Sequence, residues 1–134
     1  MTEITQSWRN RIVGHGEEPP DQLLANEKNW RIHPKAQQDA LAGVLAQVGW
    51  VQDVVVNRRS SEAWGQEQGV ETVVDGHARI GIAISRGEPS VPVVYVDLDP
   101  AEEAMVLATL DPLSAMATAD KDKLDELLRE IQSP

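Results

Sequence analysis

Apolar residues follow two rhythms along this 134-residue chain, and the changes of rhythm mark its elements. Ala36, Ala40, Leu41, Val44, Leu45 and Val48 recur at helical spacing. That spacing predicts a helix over 36–48, opened by Pro34 and stopped by Gly49. Short β-branched runs predict strands at 54–56, 72–74 and 93–96. Pro92 has no N–H to give a ladder, so it belongs near the start of the last strand or at an edge. A second helix is expected over 78–86, ended by Gly87. Asp99-Pro100-Ala101-Glu102 carries an N-cap, a first-turn proline and a capping-box acid, which opens a third helix. Pro112 predicts that this helix stops near Leu110. Leu124, Leu127, Leu128 and Ile131 share one face of a last, acidic helix with Asp120 as its cap.

Between these elements the chain reads as connection. Gly14 to Leu23 holds two prolines, two glycines and three acids, and predicts a loop after a short strand near 11–13. The stretch from Leu23 to Pro34 reads as extended, because Pro34 disfavours helix at His33. Residues 58–71 read as a linker with one helical turn near 61–64. Strands and helices alternate irregularly, so the fold class is α/β (α+β), a small mixed sheet flanked by helices. The expected divisions are 1–20, an N-terminal strand and loop; 21–115, the main domain; and 116–134, the acidic helix.

Composition narrows what such a domain does. Hydrophobic residues make up 41% and charged residues 25%, ordinary values for a soluble globular chain. No apolar run is long enough to span a bilayer, and Met1 to Val13 lacks a signal-peptide core, so a cytoplasmic protein without membrane contact is expected. Cysteine is absent, which excludes disulfides and thiolate metal sites. The net charge is −10, most of it carried by residues 97–134. Strong sequence-independent DNA binding comes from Lys and Arg neutralising phosphates, so this balance disfavours it. Arg31, Lys35, Arg58-Arg59, Arg79 and Arg86 are the candidates for a local basic patch, and such residues ordinarily form a solvated surface.

The chemistry concentrates in VVDGHARIGIA, residues 73–83, where a strand runs through Asp75-Gly76-His77-Ala78-Arg79 into a helix. The first N–H groups of a helix lack intrahelical partners, and the helix dipole adds partial positive charge there. A glycine lets a ligand approach that backbone. Arg79 in the first turn opposes the dipole, a conflict that an anion such as phosphate resolves. His77 offers a donor, a metal ligand or a proton carrier, and Asp75 a cation ligand or a cap. The bland alternative keeps Gly76 for its backbone angle, Asp75 as cap and His77 on the surface. Arg79 buried against a carboxylate would make Arg79→Ala destabilise the unliganded protein and would speak against the phosphate cradle. His33, beside Arg31, is placed to line the same cleft, whereas His15 reads as solvated loop. No HxxxH or HExxH spacing marks a metal site, and Trp30 and Trp50 read as core or cleft wall.

The order of these pieces resembles the ParB/sulfiredoxin superfamily, in its ParB-like N-terminal domain branch. The resemblance rests on NWRIHP at 29–34, the helix closed by Gly49, WVQDVVV at 50–56, DGHAR at 75–79 and VPVVYVDLDPAEEAMVLATLD at 91–111. It covers roughly residues 21–115, and it is closest to versions from phages and mobile elements, often found beside DNA methyltransferases. It implies a cleft for a nucleotide, CTP in ParB proteins and ATP in sulfiredoxins, with Mg²⁺. By position, Gly76, His77 and Arg79 fall on the phosphate-binding turn, Gln52 on the glutamine that enters the central strand, and Arg31 on the arginine of the NPR-like segment. His77 and Asp75 are the implied catalytic candidates; no metal ligand set is implied. His77 stands where the family has a glutamate that supports metal-dependent CTP hydrolysis, Asp53 replaces a proline, and Trp30 another. The sulfiredoxin cysteine is absent, which excludes that activity.

The implied function is nucleotide binding in phage or mobile-element DNA modification or replication, with turnover as an NTPase left open. The alternatives are a metal-dependent nuclease and a non-catalytic adaptor for a DNA methyltransferase, which would bring DNA through the partner. From the charge alone, duplex DNA should bind this chain weakly, and fluorescence-anisotropy titrations should show that binding vanish as salt approaches physiological strength. Tight binding retained at 0.15 M salt, about the physiological level, would contradict this.

Overall fold

In the computed structural model the described residues are 7–26 and 35–116, with 126, 129 and 130. The expected 116–134 helix therefore lies almost wholly outside them, as do Trp30, Arg31 and His33. The chain runs through β1 (Ile12–Glu18), a 3-10 turn (Pro20–Gln22), α1 (Lys35–Gln47), β2 (Val54–Asn57), a second 3-10 turn (Glu62–Glu67), β3 (Thr72–Asp75), α2 (His77–Ser85), β4 (Val91–Val96) and α3 (Pro100–Met116). The strands form one mixed sheet in the order β1-β4-β2-β3. β1 runs antiparallel to β4, β4 parallel to β2, and β2 antiparallel to β3. No helix among the described residues is long and apolar enough to cross a membrane.

The core follows from the alternation in the strands. Val91, Val93 and Tyr95 point inward from β4, and meet Val54 and Val56 of β2, Val73 of β3 and Ile80 and Ala83 of α2. Trp50 packs on the same cluster from its edge. Pro92 sits opposite Glu17 of β1, one residue before β4 begins to pair with β2, so its missing N–H falls at the strand's start. The sequence-predicted strands 54–56, 72–74 and 93–96 all lie within observed strands.

Two expectations are corrected. The stretch from Gly14 is strand rather than loop: β1 extends to Glu18. Its glycines serve packing, because a Cβ on Gly16 would lie 3.3 Å from the Tyr95 ring. α3 does not stop before Pro112 but continues to Met116. Proline removes one N–H bond, here to the Ala108 carbonyl, and strong helix formers on both sides carry the helix past it. α1 reaches the sheet mainly through α2, and of its side chains only Ala40 is fully buried.

The start of α3 is built as its sequence predicts. Asp99 Oδ1 accepts from the Glu102 N–H at 2.8 Å, and Glu102 Oε1 accepts from the Asp99 N–H at 2.9 Å. Arg11, just before β1, forks onto the same carboxylate at 2.6 and 3.0 Å and also donates to the Asp97 carbonyl. One acid thus caps a helix and ties the edge strand to it. The Arg11 guanidinium, aided by the Asp99 N–H, holds the Glu102 carboxyl down to about 2, well below its ordinary 4.5. A carboxyl depressed on folding contributes stability above its unfolded value and loses it as pH falls. Wild-type protein should therefore lose melting temperature from Glu102 between about pH 4.5 and 2. Glu102→Gln should melt lower than wild type at pH 7, with the difference closing toward pH 2 in thermal scans.

Candidate functional site

The turn between β3 and α2 is forced by its glycine. Gly76 has φ of 111°, in the left-handed region, and occupies the N-cap position of α2 without a side chain to cap it. Space demands glycine as well. A Cβ here would lie 3.0 Å from Arg79 Nη2 and 3.1 Å from a Val54 methyl carbon. The absent side chain lets the guanidinium of Arg79 fold back over the turn and sit at the positive end of its own helix.

Arg79 is held there by long contacts. Its Nη1 lies 3.5 Å from Gln52 Oε1, and its Nη2 lies 3.3 Å from the Asp53 carbonyl and 3.6 Å from Asp75 Oδ2. Good charge-assisted bonds are several tenths of an ångström shorter. Its Nε is buried with no hydrogen-bond partner among the described residues. The side chain is only 15% exposed. Arg79 was expected to face an open cleft; its side chain is instead largely buried beside the Asp75 carboxylate. Gln52 is brought to Arg79 as expected, and Asp75 is its salt-bridge partner rather than a cap. The meeting with Arg31 falls outside the described residues.

His77, the first residue of α2, faces the chain before α1. Its Nε2 accepts the Asn26 backbone N–H at 3.0 Å. Asn26 is buried, and its side chain donates to Glu103 Oε2 at 3.3 Å. Glu103 is 2% exposed and receives Arg59 Nη2 at 2.9 Å, Arg59 Nε at 3.2 Å and Asn57 Nδ2 at 3.0 Å. Arg59 reaches Glu67 at 3.4 Å, and its guanidinium stacks 3.9 Å from the Trp64 ring. Asn57 also closes on the backbone of Leu98, taking its N–H at 2.8 Å and donating to its carbonyl at 3.1 Å.

Reading the sequence missed Glu103, Asn57 and Asn26, and placed Arg59 on a solvated surface. Arg59 is instead buried, at 4% exposure. No local pattern marked Arg59, which lies beyond β2 with φ of 53°, outside the alternation of a strand. For Glu103 a signal existed. Glu103 lies four positions before Leu107, which is also buried, so helical spacing puts an acid on the packed face.

A second polar group crosses the sheet away from the turn. Tyr95 O–H donates to Glu18 at 2.5 Å, and Arg58 stacks 4.3 Å over the Tyr95 ring. Burial, then the bond to Glu18, pushes the tyrosine up to about 12. Burial and the neighbouring Glu18 carboxylate likewise raise Glu71. His15 stands 3.5 Å from Asp53 on β1, in a strand rather than the expected loop. Among the described residues no three His, Asp or Glu side chains gather as a metal site.

This architecture is similar to that of solved ParB domains. The C-terminally truncated chromosome-partitioning protein ParB from Caulobacter crescentus, complexed with CTP-γ-S, superposes with a TM-score of 0.61 at 21% identity, over 81% of this chain and 56% of that one. The Pnob8-like ParB-N domain gives 0.53 at 15% identity, over 70% and 33%. The Caulobacter protein complexed to the centromeric parS site gives 0.51 at 21% identity, over 68% and 43%. The fold is therefore ParB-like, and this chain spans about half or less of the length of those proteins. No protein-family model matches the chain, and no curated protein matches it in sequence.

Removing one member of a buried ion pair leaves the other uncompensated, at a cost of about 3–5 kcal/mol. Glu103→Leu should lose stability of that order in urea unfolding. Adding Arg59→Met should recover only part, because the bonds that Asn57 and Asn26 donate to Glu103 would still be lost.

Proposed function

We propose that this chain is a ParB-like nucleotide-binding domain that seats phosphates at Gly76-His77-Ala78-Arg79. The observation that carries the reading is the uncapped start of α2, with a buried guanidinium folded over it on contacts of 3.3–3.6 Å. Arginine at a helix N-terminus is an unfavourable pairing of like charge, and Asp75 and two neutral oxygens offset it only loosely. A phosphate placed between them would accept from both the guanidinium and the first-turn backbone N–H groups. The fold's likeness to a ParB crystallised with CTP-γ-S supports a nucleoside triphosphate, CTP or ATP, as the source of that phosphate.

Mg²⁺ fits this site as a companion of the nucleotide rather than a resident of the protein. Asp75 is a carboxylate beside the turn, and Mg²⁺ ordinarily combines one or two carboxylates with substrate phosphates and water. Bound there, the ion would shield charge between phosphates. Arg79 and the α2 amides would orient the phosphate chain, and Asp75 would exchange its contact with Arg79 for one with the cation. The resemblance to versions from phages and mobile elements supports a place in DNA modification or replication in the cytoplasm. DNA would arrive through a partner such as a methyltransferase, consistent with the net charge of −10.

Thermal-shift measurements with ATP, ADP, CTP, GTP and S-adenosylmethionine, each with and without Mg²⁺, test this. A nucleotide at ten times its Kd should add about 1.4 kcal/mol, a rise of several degrees. Arg79→Ala should abolish the rise and also lower the unliganded melting temperature, because the contacts of Arg79 with Asp75, Gln52 and the Asp53 carbonyl are lost. Arg79→Lys should keep part of both. A set of nucleotides that leaves the wild-type melting temperature unmoved would overturn the proposal.

A further inference from the structure

A histidine at the start of a phosphate-binding helix has two opposite uses. As a donor or an imidazolium it would add charge to the anion; as an acceptor it would hold part of the protein. Its Nε2 already accepts the backbone N–H of Asn26 at 3.0 Å. An imidazolium has no lone pair on either nitrogen, so this bond requires a neutral ring with its proton on Nδ1. Protonation would set one N–H against another and drive the Asn26 backbone away.

The residue held in this way is itself a junction. Asn26 is 4% exposed, and its side chain donates to Glu103, the acid that neutralises Arg59. A continuous run of hydrogen bonds thus joins the first residue of α2 to the buried pair beneath α3. We propose that His77 is a positioning residue rather than a phosphate ligand: a neutral acceptor that ties the α2 turn to Asn26 and Glu103, leaving Arg79 and the backbone amides to meet the anion. The part concerning the anion rests on the nucleotide reading above. The protonation state of His77 does not.

Two measurements separate these parts. Imidazole ¹⁵N shifts of the nucleotide-free protein at pH 7 should show the Nδ1–H tautomer at His77. An Nε2–H tautomer or an imidazolium overturns the inference. His77→Gln places an acceptor oxygen near the position of Nε2, whereas His77→Asn reaches only that of Nδ1 and His77→Leu supplies none. Hydrogen exchange of the Asn26 amide should stay near wild type in His77→Gln and accelerate about tenfold or more, the worth of one hydrogen bond, in His77→Asn and His77→Leu. Affinity for inorganic triphosphate, read from the α2 first-turn amide resonances, should follow the same order. Equal exchange in all three variants, or triphosphate binding by His77→Leu equal to wild type, overturns it. Wild-type protein that ignores triphosphate sinks the nucleotide reading, and the exchange series then decides the role of His77 alone.

Discussion

The carboxylate of Glu103 is almost wholly removed from water, and the polar interior of this protein is organised around satisfying it. Isolated in such a place it would be prohibitively costly, so it must be paired and hydrogen-bonded on both oxygens. Arg59 supplies the charge; Asn57 and Asn26 supply further donors. Because those residues come from the end of β2, the chain beyond it and the segment before α1, one carboxylate draws together parts of the chain that no hydrophobic contact would orient. Arg59 adopts φ of 53° to get there, an uncommon backbone for a residue with a side chain, and Trp64 covers its guanidinium.

The α2 turn is tied to this arrangement through His77 and Asn26. β3 pairs antiparallel with β2, so Thr72 lies opposite Asn57, and Asp75, where β3 hands over to α2, lies opposite Val55. Gly76 then turns the chain into α2 in the left-handed region, and its missing Cβ leaves room for Arg79. His77 closes the circuit by binding Asn26. The contacts to Glu103 run from 2.9 to 3.3 Å and engage both its oxygens, whereas those of Arg79 run from 3.3 to 3.6 Å and leave its Nε without a hydrogen-bond partner among the described residues.

The edge of the sheet shows the same economy with a different device. Arg11 and Glu102 join β1 to the start of α3 at the surface, where water screens both charges, so the acid also serves as a cap. Glycines in β1 permit close approach to Tyr95, whose hydroxyl returns to β1 through Glu18. Polar links therefore fasten both ends of this edge strand.

Reading the chain alone located β2, β3, β4, α1, α2 and the capping box of α3, because each depends on interactions within a few residues: an alternating or helical apolar pattern, a cap, a terminal glycine. The same locality marked Gly76 and Arg79 as a junction with unusual charge. It misread β1, whose glycines look like a loop until Tyr95 lies beside them. It ended α3 at Pro112, where neighbouring helix formers outweigh one lost bond. Only the tertiary structure decided that Arg59 is buried, that Glu103 neutralises it from 44 positions away, that Arg79 leans on Asp75 and Gln52, and that His77 Nε2 accepts the Asn26 N–H. Those outcomes depend on which side chains burial brings together, and a buried charge or a ring nitrogen takes its state from partners that local sequence does not specify.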